Sequence, residues 1–310
     1  MQISLILLQE IARLFLILLM GWAVVKLGLL TTADSRVLSV VMVYLVTPCV
    51  IIDSFQVDYD PQVVRGLLFA FALAVGAHAL LLLLSRLFAR PLRLDVIERC
   101  TVVYTNAGIL VIPLVEALLG AEYVMYSCAF MVVQQVLIWT HCRSLLCGTQ
   151  GMDWKKIVCN VNIVAIAIGA ALFVLRVPLP TVIGGTLSTT GSLLGPLGML
   201  LSGMVIADAP LGELFLTPRN YVAVALRLLV CPVLTVLLFR ALGVAGWLAD
   251  GKAILMTVYL ACISPACATV TSLAQLYDSG AARASALYVL STLLSVVTMP
   301  LMIGVFDMLL

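Results

Sequence analysis

Two stretches of this sequence set small and polar residues beside a proline inside long apolar runs. One is Tyr104-Thr105-Asn106-Ala107-Gly108-Ile109-Leu110-Val111-Ile112-Pro113; the other is Cys262-Ile263-Ser264-Pro265-Ala266-Cys267-Ala268-Thr269. Proline has no N–H, and its ring presses on the carbonyl four residues back, here those of Ile109 and Ala261. Away from water a freed carbonyl is costly unless protein, water or a ligand meets it. The half-helix that follows a break turns unpaired N–H groups, with about half a positive charge, toward the gap. A carboxylate placed there finds donors without a full positive charge in the protein. Asn106, with the backbone around Gly108, Pro113 and Pro265, is the expected carboxylate holder. Ser264 and Thr269 are expected to add hydroxyl donors, and Gln134-Gln135 to line the same space. The bland alternative is a pair of proline kinks satisfied by Ser or Thr. Pro48 and Pro196 repeat the pattern, with helix packing as their first role and lining of the site as their second.

Ionisable side chains at depth are few. Glu10 and Arg13 lie one turn apart and are expected to pair. Arg227 falls mid-run, where an unpaired guanidinium costs at least about 2.5–3.5 kcal/mol, so it must face a cavity, a carboxylate such as Glu10, or an anionic substrate. Glu116 reads as a rim charge. His78 is either a proton carrier or a satisfied packing residue.

The elements that position these groups follow from composition. Of 310 residues, 64% are AVILMFWYC and 10% are DEKR, against about 45–50% and about 25% in soluble domains. Mean hydropathy is +1.21. No soluble interior hides so much apolar side chain, so the solvent is the lipid bilayer. A net charge of +2 gives no reason to expect nucleic acid. The nine cysteines include no C-x-x-C, and His78 and His141 are far apart, so no metal site is expected. No cofactor is expected either, since G-x-x-x-x-G-K-[ST] is absent. The first apolar stretch lacks a basic leader and holds Glu10 and Arg13, which reads as a retained span.

Charge and turn residues cut the chain into ten predicted spans near 4–28, 36–54, 62–88, 97–119, 123–146, 157–176, 184–207, 219–241, 252–276 and 284–306. With both termini outside, the inner connections hold Lys26, Arg36, Arg86, Arg90, Arg93, Arg99, Arg143, Lys155, Lys156, Arg219 and Arg283. The outer ones hold Arg65, Arg176, Arg240 and Lys252. Eleven against four favours that orientation. The polar loop near 147–156 divides the chain into 1–150 and 151–310, five spans each. An odd number per half requires the second half, if it shares the fold, to be inverted. A shift of 158 residues lays Asn106-Ala107 over Ser264-Pro265 and Ser127-Cys128 over Ser285-Ala286, a match that two hydrophobic stretches also reach by chance.

At these residues the sequence resembles the auxin efflux carrier family, which includes plant PIN proteins and bacterial malonate-transporter-like permeases. The similarity is carried by Ser264-Pro265-Ala266, by Ala274-Gln275-Leu276-Tyr277-Asp278 and by the run Ala284-Ser285-Ala286-Leu287-Tyr288-Val289-Leu290-Ser291-Thr292-Leu293-Leu294-Ser295 ahead of Pro300. Asn106, Gly108 and Pro113 match a second family pattern, with Val111 where another glycine is usual. The resemblance implies an all-α polytopic membrane protein, ten transmembrane helices in two inverted five-helix repeats, with discontinuous helices 4 and 9 crossing at the substrate site. It also implies a scaffold of helices 1, 2, 6 and 7 that forms a homodimer, and a moving part built from helices 3–5 and 8–10. Family substrates are mostly organic anions with a carboxylate.

The expectation is therefore a secondary transporter of a small carboxylate in the cytoplasmic membrane. A sodium- or proton-coupled symporter of the bile-acid-transporter type is the alternative, and would need a dedicated ion site. An intramembrane enzyme or sensor is the third reading, and an enzyme would need a paired nucleophile and base that neither histidine supplies.

Overall fold

The computed structural model describes residues 2–148, 155, 158–209 and 211–310. Among them the chain is helical, and the β-type pairing is one isolated antiparallel bridge, Thr105 with Ala266. The first half contains α1 (Gln2–Lys26), α2 (Thr32–Ser54), α3 (Pro61–Ala89), α4 (Val96–Val103), α5 (Ala107–Leu119) and α6 (Ala121–Cys147). The second contains α7 (Val161–Leu175), α8 (Thr181–Ala207), the short α9 (Leu211–Leu216), α10 (Pro218–Ala241), α11 (Gly251–Ile263), α12 (Ala268–Leu276) and α13 (Ala281–Leu309). Of the loop expected to divide the halves, 149–154 and 156 lie outside the described residues.

Among the described residues, six helices (α2, α3, α6, α8, α10 and α13) are long and apolar enough to cross a membrane. Shorter apolar helices are Phe15–Lys26, α5, α7 and α11. The expected fourth and ninth spans each appear as two helical pieces, α4 with α5 and α11 with α12.

Local chemistry explains the starts. In the first turn of α2, Asp34 accepts from the N–H and Oγ1 of the capping residue Thr31, both at 2.8 Å. Asp60 accepts from Gln62 N–H at 2.8 Å with Pro61 at the first position of α3. Asp95 and Glu98 cap one another's backbone at α4, at 2.7 and 2.9 Å. Asn160 accepts from Asn162 N–H at the start of α7.

Three prolines are absorbed by wide turns. Met42–Val46, Ala107–Val111 and Leu226–Val230 each form a π-type turn just ahead of Pro48, Pro113 and Pro232. The extra residue relieves the clash that a proline ring imposes. At the first of these, Thr47 Oγ1 donates to Met42 C=O at 2.9 Å, so the loosened turn stays satisfied.

Helix packing sorts the elements. α1 lies along α8, and α2 packs on α7 and α8. α3 packs on α6 and α11, while α10 and α12 pack on α13. At the α1–α8 seam the backbones touch: a Cβ on Gly203 would stand 1.9 Å from Leu18 O, and one on Gly21 would stand 2.1 Å from Leu200 O. Small residues allow this approach where lipid offers no hydrophobic drive between helices.

At the end of the molecule that carries the α4 N-terminus, Glu98 is fully buried and bound by two arginines. Arg219 Nη2 lies 2.5 Å and Arg283 Nη2 2.7 Å from its oxygens. Arg219 also donates to Leu92 and Arg93 carbonyls, and Arg283 to Asn220. The first turns of α4, α10 and α13 are tied together there.

Candidate functional site

α4 ends at Val103 and α11 ends at Ile263, and the extended residues that follow meet each other. Asn106 N–H donates to Pro265 C=O at 2.9 Å, and Cys267 N–H donates to Tyr104 C=O at 3.1 Å. Ser264, held before a proline, is extended at φ −70°, ψ 156°. Two helix breaks, one from each half of the chain, thus cross as a two-rung antiparallel ladder.

The peptide groups that face away from the ladder are held by neighbours. Gln134 on α6 accepts from Thr105 N–H at 2.9 Å and donates to Thr105 C=O at 2.8 Å. Ser291 on α13 accepts from Ala266 N–H at 3.1 Å. Tyr104 anchors the entry to the break, its hydroxyl 2.8 Å from His141 Nδ1 and 3.0 Å from Leu137 C=O.

Arg227 is fully buried on α10, in the wide turn ahead of Pro232. Its guanidinium donates to Ser264 C=O (3.0 Å), Val102 C=O (3.0 Å), Cys262 C=O (2.7 Å) and Ala261 C=O (3.3 Å). These are the last carbonyls of the two interrupted helices. The carbonyl of Ala261, which the proline frees, is therefore met twice, by Arg227 and by the Ser264 hydroxyl at 2.9 Å.

This geometry places the residues singled out in the sequence as follows. The helical run is interrupted at Tyr104–Asn106, upstream of Pro113, which sits half-buried inside α5 because the wide turn accommodates it. The Ser264 hydroxyl donates back into α11, to Ala261 C=O. Gln134 spends its oxygen and one amide N–H on Thr105. Arg227 meets carbonyls rather than a carboxylate.

Asn106 is 5% exposed and precedes α5, and its side-chain amide neither caps that helix nor bonds elsewhere among the described residues. Thr105 Oγ1 is likewise buried without a partner. Gly108 is half-buried, and an added Cβ there would make ordinary contact with Met131 at 3.5 Å. Pro265 is buried in the ladder, and Thr269 is half-buried in the first turn of α12. The side chain of Glu10 lies outside the described residues, and Arg13 is exposed on α1. His78 packs its ring 4.2 Å from that of Phe130 and places Nδ1 2.8 Å from Ala74 C=O.

A polar cavity of about 230 Å³ opens between α2, α5, α6 and α8, with Asp53, Glu116, Glu122, Gln56, Ser188 and Ser192 in its wall. An apolar cleft of about 30 Å³ lies between α1, α5, α8 and α13, lined by Phe15, Leu110, Met199 and Met299 among others. Asn106, Ser264 and Pro265 line neither.

Residues 6–149 and again 145–303 match the family described as membrane transport protein. The chain belongs to this family. The two matches make it a two-repeat family member, and with its apolar helices it is a multi-pass membrane transporter. No curated protein matches the chain.

The sequence does not mark Thr105, Ser291 and Tyr104 as parts of the site. Ser291 stands inside the family-like block Leu290-Ser291-Thr292, and Thr105 beside Asn106. What assigns them roles is contact with main-chain atoms, which leaves no mark on residue type.

Proposed function

We propose that the crossing of the two interrupted helices is the substrate site of a secondary transporter that carries a small organic anion, a mono- or dicarboxylate, across the cytoplasmic membrane by alternating access. Ten spans in two inverted five-helix repeats, divided near residue 150 with both termini outside, fit the pieces described. In this reading α4 with α5 and α11 with α12 are the discontinuous fourth and ninth spans. α1, α2, α7 and α8 form the scaffold through which two copies pair, and the remaining helices carry the substrate. The observation that carries the reading is the crossing itself: α5 starts directly after the buried Asn106, whose side-chain amide is unengaged among the described residues, and α12 starts three residues past Pro265, the main-chain partner of Asn106. Helix N-termini and an amide donor suit a carboxylate.

Uptake or export of radiolabelled mono- and dicarboxylates in proteoliposomes tests it. Asn106→Ala should lower transport by roughly tenfold or more, the scale of one lost hydrogen bond to a charged group, and Pro265→Ala, which lets α11 run on through the break, should lower it too, both without loss of monodisperse protein. Normal transport by both variants removes the crossing as the site. The carboxylate-lined cavity of Asp53, Glu116 and Glu122 is the observation that favours a second reading, coupling to sodium or protons. Uptake that depends on a sodium or pH gradient distinguishes it from uniport.

A further inference from the structure

A guanidinium removed from water is ordinarily matched by a carboxylate. Among the described residues no carboxylate pairs with Arg227, and its four hydrogen bonds go to the closing carbonyls of α4 and α11. Each helix C-terminus carries about half a negative charge, so two of them present about one unit against one guanidinium. The carbonyl side of the crossing is thereby balanced. On the amide side α5 and α12 bring about half a positive charge each. Neither has an acidic residue in its first turn. That side stands unbalanced by about one unit.

We infer that Arg227 is the residue that fixes the charge of the solute: by neutralising the carbonyl ends it leaves the crossing with room for one negative charge, so that it takes a monoanion and rejects the neutral analogue. This rests on the crossing being the substrate site. Without Arg227 the two ends of the crossing cancel one another, and a carboxylate has no advantage over an amide of the same shape. Arg227 does this as a positioning and charge-setting residue, through the backbone, with no contact to the solute.

The test uses purified full-length protein and two probe series, benzoate with benzamide, and succinate with succinamate and succinamide. Binding is read by calorimetry. The unaltered protein should bind benzoate and succinamate at least about tenfold more tightly than benzamide and succinamide, and succinate no more tightly than succinamate. Arg227→Gln should bring the anion-to-amide ratio toward one, and Arg227→Lys should restore part of it. An unchanged ratio in folded Arg227→Gln overturns the inference. Where that variant does not fold, Asn106→Asp decides: supplying the charge internally should remove benzoate binding, and retained benzoate binding overturns the inference. Succinate bound more than about tenfold tighter than succinamate overturns it as well. Failure of the unaltered protein to bind any carboxylate of the series is a different result, and removes the substrate-site reading itself.

Discussion

Gln134 acts at the crossing as a strand would, because a primary amide places its oxygen and one of its two N–H donors at nearly the spacing of a peptide group. It pairs with both groups of Thr105, a residue with no solvent exposure. Gln134→Leu should leave that N–H and C=O buried and unmatched, at about 1–3 kcal/mol each, and melting of the detergent-solubilised protein should show the loss. An unchanged melting temperature would mean that the amide is not needed there. The polarity of Gln134 is legible in the sequence, but its task is not. A glutamine in an apolar run reads as a lining residue, and nothing in residue type says that its partner is main chain. Arg227 is illegible for the same reason. Its depth is plain, which points to a carboxylate or a ligand, whereas helix ends supply acceptors that no sequence pattern displays.

Helices are more legible than their interruptions. Apolar run length, the caps Thr31, Asp60 and Asp95, and the Thr217-Pro218 start mark where helices begin. Pro113 points to a break, yet a wide turn can house a proline with the helix intact, and sequence does not separate the two outcomes. The true break at Tyr104–Asn106 depends on a partner segment from the other half of the chain, so it is a tertiary event. Close approach of α1 and α8 shows in the sequence only as glycine near Pro196. Gly203 is the sharper case, since any Cβ there would stand 1.9 Å from Leu18 O. Gly203→Ala should force the two helices apart and reduce the yield of folded protein. Gly184→Ala, where a Cβ meets nothing within 4 Å, should be neutral. Equal yields of the two variants, by fluorescence-detected size exclusion, would deny the seam its importance.

At the scale of the molecule, the acidic cavity lies where α2 and α8 face α5 and α6, between the group that contains α1 and the group that contains the crossing. Three carboxylates there oppose the approach of an anion from that side. Asp53→Asn and Glu116→Gln should each raise the rate of carboxylate entry a few-fold at low ionic strength, an effect that added salt diminishes. Rates that stay the same in proteoliposomes at low salt would place the entry path elsewhere. The two repeats of the chain are legible only as the weak match of its halves at a shift of 158 residues. The contact between them at Thr105 and Ala266 is not.

That contact has a dynamic consequence. With Tyr104, Thr105, Asn106, Pro265, Ala266 and Cys267 each bonded through the main chain, and with Arg227 gripping both helix ends, unthreading the knot would strand many dipoles in oil. Any movement that the proposed transport requires therefore leaves the knot intact and falls to the flanks, where α13 meets α1 and α5 meets α1 and α8.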